Sequence, residues 1–343
     1  MLAILCIILI VFAGILIYIA VYRNPSDKRL EDAGIVEKTI QVGDVNFNYA
    51  EGPDSGPALV LLHAQLLDWY SYSGAIPALS EHFHVYAIDY PGHGKTTYPN
   101  DYEMSVSSIG SSIADFITTV VQKPVYISGN SSGGLLTVWL AVNHPELVKA
   151  VVLEDPPLFS SEYPAVKDTI AYKSFTTSQK AVEDGAQDFL LYWVQKSTRF
   201  FENYTGPGVQ KLAELMCRYY RFINPDKPLE LAFLPATIQE ILRGLNEYDP
   251  RFGAAFYDGT WNEGFDHAEA LTQIGCPVLL LQAEFSYLED GTLNGAMSEK
   301  MAQKAVSLIP NCQFRTVDCS HVINLEIPNE FAQILEDFFL VNE

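Results

Sequence analysis

The chain is poor in positive charge. Of its 343 residues, 21 are Lys or Arg and 42 are Asp or Glu, so the formal charge is −21. A surface of that sign repels phosphate backbones, and no nucleic-acid partner is expected. Cysteine is scarce as well. The five, Cys6, Cys217, Cys276, Cys312 and Cys319, are odd in number and form no C-x-x-C pair. That scatter offers neither a disulfide framework nor a zinc site and predicts free thiols. No G-x-G-x-x-G fingerprint and no cluster with metal-ligand spacing is present, so no cofactor and no metal is expected. Internal repeats and low-complexity tracts are also missing.

Charge is absent altogether from residues 2–22, LAILCIILIVFAGILIYIAVY. A helix of that length rises roughly 30 Å, the thickness of a bilayer's hydrocarbon core. A cleaved signal peptide would show basic residues before the apolar run and an A-x-A-like site after it, and neither is there. Leu5 is also too bulky before Cys6 for lipoprotein processing. The segment is therefore expected to be an uncleaved, single-pass membrane anchor, followed by a polar linker over 23–35. Arg23, Lys28 and Arg29 follow it and only Met1 precedes it. On those three charges, the positive-inside tendency favours a cytoplasmic side for the bulk of the chain.

After the linker, VEKTIQVG (36–43) and VNFNYAE (45–51) read as a hairpin about Gly43 and Asp44. ALVLLHA (58–64), HVYAIDY (84–90), PVYISGN (124–130), KAVVLED (149–155), PVLLLQA (277–283) and CQFRTVD (312–318) are short apolar runs. Continuous runs of this kind suit parallel strands covered on both faces. Helical patterns separate them, as in SVSSIGSSIADFITTVV (105–121), and EFAQILEDFFL (330–340) closes the chain. The alternation predicts an α/β fold with a mainly parallel, doubly wound sheet, built from 36–155 and 272–343.

Residues 156–271 interrupt that rhythm, with helical stretches QDFLLYWVQKSTRFF (187–201), KLAELMCRYYRF (211–222) and ATIQEILRGL (236–245). The last has a capping-box pattern, Thr237 with Glu240 three residues on. An all-helical insertion between two strands predicts a cap over the sheet's C-terminal edge, where open α/β folds bind ligands. Its aromatic and apolar residues, Phe189 to Trp193, Phe200, Phe201, Tyr219, Tyr220 and Phe222, are ordinary packing core for the most part, but a cap usually turns some apolar surface to the pocket.

The stretch YISGNSSGG (126–134) places Ser131 between Gly129 and Gly133, the G-x-S-x-G spacing of a tight strand–turn–helix corner with the serine at its apex. Together with LLHAQ (61–65), DYPGHGKT (89–96), LEDPP (153–157) and CSHVIN (319–324), in this order, it resembles the α/β-hydrolase superfamily over about residues 36–340. The resemblance implies Ser131 as nucleophile and His321, after the last strand, as its base. A serine hydroxyl needs such a base at neutral pH, and imidazole titrates in the right range. The other six histidines read as structural.

The same resemblance implies an oxyanion hole from the backbone amides of Gln65 and Ser132. Ala64 stands where most relatives have glycine. The acid of most relatives lies just beyond the strand before last, in a G-x-x-D pattern. Here that stretch reads QAEFSYLEDG (282–291), with Ser286 at the aspartate's place. Glu284, Glu289 and Asp290 are nearby candidates. Asp155 is a fourth, because some lipases of the superfamily draw their acid from the end of that earlier strand. Asp155 is taken first and Glu284 second, though an Asp before Pro also commonly caps a turn.

The function these residues predict is that of a membrane-anchored serine hydrolase cleaving an ester or related carbonyl substrate, apolar or acyl-bearing. Two alternatives stand beside it: a carbon–carbon bond hydrolase of the meta-cleavage type, which shares the GNS elbow, and a non-catalytic binding protein that has kept the fold.

Overall fold

The computed structural model describes residues 13–14, 17–18, 21–196, 209–225, 227–230 and 236–342. The anchor expected over 2–22 lies largely outside them. Among the described residues no helix is long and apolar enough to cross a membrane. The expected linker carries a helix, α1 (Pro25–Asp32), with Asn24 accepting from the Ser26 amide as its cap and Pro25 in the first turn. The signal was the Asn-Pro-Ser-Asp sequence, a cap followed by proline and an acidic first turn.

Eight strands form one sheet: β1 (Val36–Val42), β2 (Val45–Glu51), β3 (Ala58–Leu62), β4 (His84–Asp89), β5 (Val125–Asn130), β6 (Val148–Glu154), β7 (Val278–Gln282) and β8 (Cys312–Thr316). Their order is β1-β2-β4-β3-β5-β6-β7-β8. β1 and β2 form the expected hairpin, β2 pairs antiparallel with β4, and every later pairing is parallel. Along β3, Val60 and Leu62 join one core cluster while Leu59 and Leu61 join the other. A strand that sends apolar side chains to both faces must be covered on both. One cover includes α2 (Val106–Phe116) and α3 (Ser132–Asn143), and the other includes the closing helix Pro328–Phe339.

Between β6 and β7 lie α4 (Ala171–Glu183), α5 (Phe189–Lys196), α6 (Val209–Ile223), α7 (Ala236–Leu245) and α8 (Pro250–Asp258), here termed the cap. α4 and α8 escaped the sequence reading, although Asp249, Pro250 and Gly259 mark both ends of α8. Phe175 and Phe256 join the two helices in a stacked pair with ring centroids 5.0 Å apart. α7 corrects the capping-box reading. Ala236 is already helical, so Thr237 lies within the helix rather than at its cap. Glu240 is buried, and that burial pushes its carboxyl up to about 8 against the lowering effect of Arg243.

Candidate active site

The chain steps from β4 across β3 to β5, so the strand order reverses there and leaves a crevice at the C-terminal ends of β3 and β5. Ser131 occupies the corner between β5 and α3 with φ 55° and ψ −118°, a left-handed backbone that costs a non-glycine residue energy. The surroundings hold it there. Its amide donates to the Glu154 carbonyl at 2.9 Å. Gly133 packs so closely on the end of β3 that a Cβ there would lie 2.6 Å from the His63 carbonyl oxygen. The side-chain amide of Asn130 donates to the carbonyls of Glu154 (2.9 Å) and His321 (3.0 Å), tying the elbow to the loop after β8.

Asp155, at the end of β6, is 1% exposed. Its Oδ2 lies 2.7 Å from His321 Nδ1, and its Oδ1 accepts from the Ala283 amide at 3.3 Å. Its own backbone is left-handed, φ 46°, which turns the carboxylate off the strand toward the histidine. Glu284 is exposed beyond β7, and its amide is bonded to the Cys319 carbonyl at 3.0 Å. Asp290 is exposed and accepts from the Thr292 amide in its own turn, and Glu289 is exposed beside it. Of the four carboxylates weighed from the sequence, Asp155 is the one hydrogen-bonded to His321.

Ser131 and His321 share the wall of one cavity of about 790 Å³, together with Gln65 and Ser132. No hydrogen bond joins Ser131 to His321 in this conformation. The remaining histidines have other surroundings. Burial pushes His63 down to about 4, His267 down to about 3 and His93 well below its ordinary value, so all three are neutral. His267 Nδ1 accepts from the Phe159 amide, and His63 stacks on Tyr90.

Two buried networks support these groups and were missed in the sequence. Tyr90 OH donates to the His63 carbonyl at 3.0 Å and is 2.9 Å from Ser132 Oγ, bracing the turn after Ser131 against β3. Glu154 is fully buried, and its Oε1 accepts from Ser128 Oγ (2.7 Å) and Tyr72 OH (2.9 Å). Burial pushes its carboxyl up to about 8, so at neutral pH it is mainly the uncharged acid.

The cavity roof is made by aromatics other than those named from the sequence, which are largely packing core as expected. Phe175 and Phe256 line it together with Val166 and Ile170. None of the described aromatics named from the sequence does so. Phe189 and Tyr220 are buried in the core cluster, Phe222 is 85% exposed, and Phe200 and Phe201 lie outside the described residues. The lining also has polar residues, Glu284, Ser286, Asn294 and Ser320 among them.

Comparison with known proteins agrees with this architecture. The chain is 29% identical over 302 residues to human serine hydrolase-like protein 2, covering 84% of this chain and 88% of that one. It is 33% identical over 126 residues to 2-hydroxy-6-oxo-6-(2'-aminophenyl)hexa-2,4-dienoic acid hydrolase of Metapseudomonas resinovorans, covering 36% of this chain and 43% of that protein. Two further curated relatives, a pimeloyl-[acyl-carrier protein] methyl ester esterase and an (E)-2-((N-methylformamido)methylene)succinate hydrolase, are likewise matched over 43% and 45% of their length. The crystal structure of a membrane phospholipase A superposes with a TM-score of 0.61 at 20% identity, over 99% of this chain and 98% of that one, a likeness of fold. A family model for the alpha/beta hydrolase fold matches residues 57–328, and with the sheet order and the serine corner already described, the chain belongs to the α/β-hydrolase family.

Proposed function

We propose that this protein is a serine hydrolase of carboxylic esters or related carbonyl compounds, held at a membrane by residues 2–22 and enclosing its substrate under residues 156–271. Ser131 Oγ attacks the carbonyl while His321 takes its proton. The amides of Gln65 and Ser132 receive the developing oxyanion, and Ser132 adds the positive end of α3. His321 then delivers the proton to the leaving group, and water releases the acyl group from Ser131 by the same steps reversed. Asp155 holds the imidazole tautomer and stabilises the imidazolium. The observation that carries this reading is the 2.7 Å Asp155–His321 pair, whose histidine lines the cavity that the strained Ser131 also lines. Bonds from nucleophile to base are often open before substrate binds and tighten in the complex.

The apolar roof favours an acyl chain at the Phe175–Phe256 end. Among the described lining residues there is no Lys or Arg to receive a carboxylate such as that of a dienoic acid. The ester reading is preferred on that ground over carbon–carbon bond cleavage. A fluorophosphonate probe should label wild type and not Ser131→Ala. A panel of p-nitrophenyl esters beside vinylogous diketones should be turned over on the ester side. Labelling that survives Ser131→Ala, or turnover confined to diketones, rejects the reading.

A further inference from the structure

The loop Gln65–Asp68, which follows β3 and carries the proposed oxyanion donor Gln65, is gripped by one stretch of the cap. Three contacts make the grip. Gln65 Nε2 donates to Tyr248 OH at 2.8 Å. Gly244, inside α7, lies directly on the loop backbone: a Cβ there would overlap the Leu66 carbonyl, 2.7 Å from its carbon and 2.8 Å from Leu67 Cα. Arg243 Nε donates to Asp68 Oδ2 at 3.0 Å in a pair buried on both sides, while its Nη1 reaches Glu230 at 3.0 Å and its guanidinium covers the Tyr70 ring at 3.9 Å. The gripped loop is itself strained, with Leu66 at φ 66°.

Each contact is hard to explain as ordinary packing. A helix interior favours alanine over glycine, so Gly244 answers to the close approach of the loop rather than to the needs of α7. A left-handed leucine persists only where its neighbours over-determine it. Tyr248 is buried, edge-on to His93 and tilted against Phe189, so its hydroxyl is fixed in place before any substrate arrives. We infer that Gly244 and Tyr248 of the cap are positioning residues for the oxyanion hole, setting through Leu66 and Gln65 the direction of the Gln65 amide. The cap would then not only roof the cavity but complete its electrostatics, because a donor misplaced by about 1 Å loses on the order of 100-fold in rate.

This inference rests on the serine-hydrolase reading for its catalytic half, and two readouts keep the two apart. Hydrogen exchange of the amides from Gln65 to Asp68, measured on the full chain, reads the grip without turnover. Ester hydrolysis normalised to the amount of fluorophosphonate-reactive enzyme reads its consequence. Tyr248→Phe should accelerate exchange in the loop and lower kcat about 5- to 10-fold with KM within about twofold, and lower the melting temperature by no more than a few degrees. Gly244→Ala should lower kcat on the order of 100-fold. Tyr248→Phe combined with Gln65→Ala should be no slower than Gln65→Ala alone, since both act through one bond. Unchanged loop exchange in both variants overturns the grip. Faster exchange with unaltered kcat, or an effect that appears only in KM, overturns the positioning role. Wild type that is neither labelled nor active overturns the hydrolase reading and the catalytic half with it, while the exchange data still decide the grip.

Discussion

Of the strained backbones near the cavity, those of Ser131 and Leu66 are held by different means. Ser131 at φ 55° is fixed from below: its amide is bonded to β6, and Gly133 rests on the end of β3, all within the sheet and its nearest helix. Leu66 at φ 66° is fixed from above, by Gly244, Tyr248 and Arg243 of the cap. The proposed nucleophile belongs to the core, whereas the proposed oxyanion loop depends on an inserted segment. The elbow can therefore be complete in the sheet alone, whereas the proposed reaction would also need the cap in place. His321 belongs with the elbow, since Asn130 and Asp155 bind it to the ends of β5 and β6.

Substitutions can break that comparison at several strengths. The largest effect is expected from Ser131→Ala, which should lower ester kcat by about 10⁴- to 10⁶-fold with the fold intact. A loss below tenfold would place the nucleophile elsewhere. Asp155→Asn follows at about 10⁴-fold, because the asparagine leaves His321 in the wrong tautomer. Glu284→Gln should change kcat by less than about threefold, a screened charge beside the cavity being worth little. If Glu284→Gln were the more damaging of the two, the acid would lie beyond β7 after all. Gly133→Ala sharpens the contrast between the regions. Its methyl group meets core backbone on β3, so about 1–3 kcal/mol of stability should go with the activity. Gly244→Ala, whose methyl group also meets backbone, should cost stability of the same order, so the contrast is read from hydrogen exchange, which should rise in the Gln65–Asp68 loop for Gly244→Ala and not for Gly133→Ala.

The smallest effect concerns pH. Glu154 keeps its proton up to about 8 in the folded protein, against 4.5 for an exposed glutamate. Between those values the unfolded chain has released a proton that the native state retains, so this group's contribution to stability is full below about 4.5 and is lost as pH rises through about 8. Glu154→Gln removes the dependence. Relative to wild type its melting temperature should rise by a few degrees from about pH 5 to about pH 8. A difference that stays constant with pH would mean that Glu154 is ionised in the fold.

The same division decides what the sequence alone reveals. The strands were legible because apolar runs such as ALVLL and VLLLQ are covered on both faces and need no partner information. Ser131 was legible because a corner of that tightness demands small residues at fixed offsets. His321 followed from chain order within a resemblance. Asp155 was only half legible: its pair with His321 spans 166 positions, and three other acids stood in or near the usual place. The cap was least legible. Gln65 and Tyr248 are 183 residues apart, and Asp68 and Arg243 are 175 apart. No local period records such pairs. The aromatic stripe at 189–193 drew attention that belonged to Phe175 and Phe256, because periodicity marks an apolar face without saying what it meets.

The most direct test of the central claim is intact-protein and peptide mass spectrometry after reaction with a fluorophosphonate. One adduct per wild-type chain, located on Ser131, absent from Ser131→Ala and much slower to form in Asp155→Asn, is the predicted result. An adduct on another residue, or folded wild type that takes up none, would contradict it.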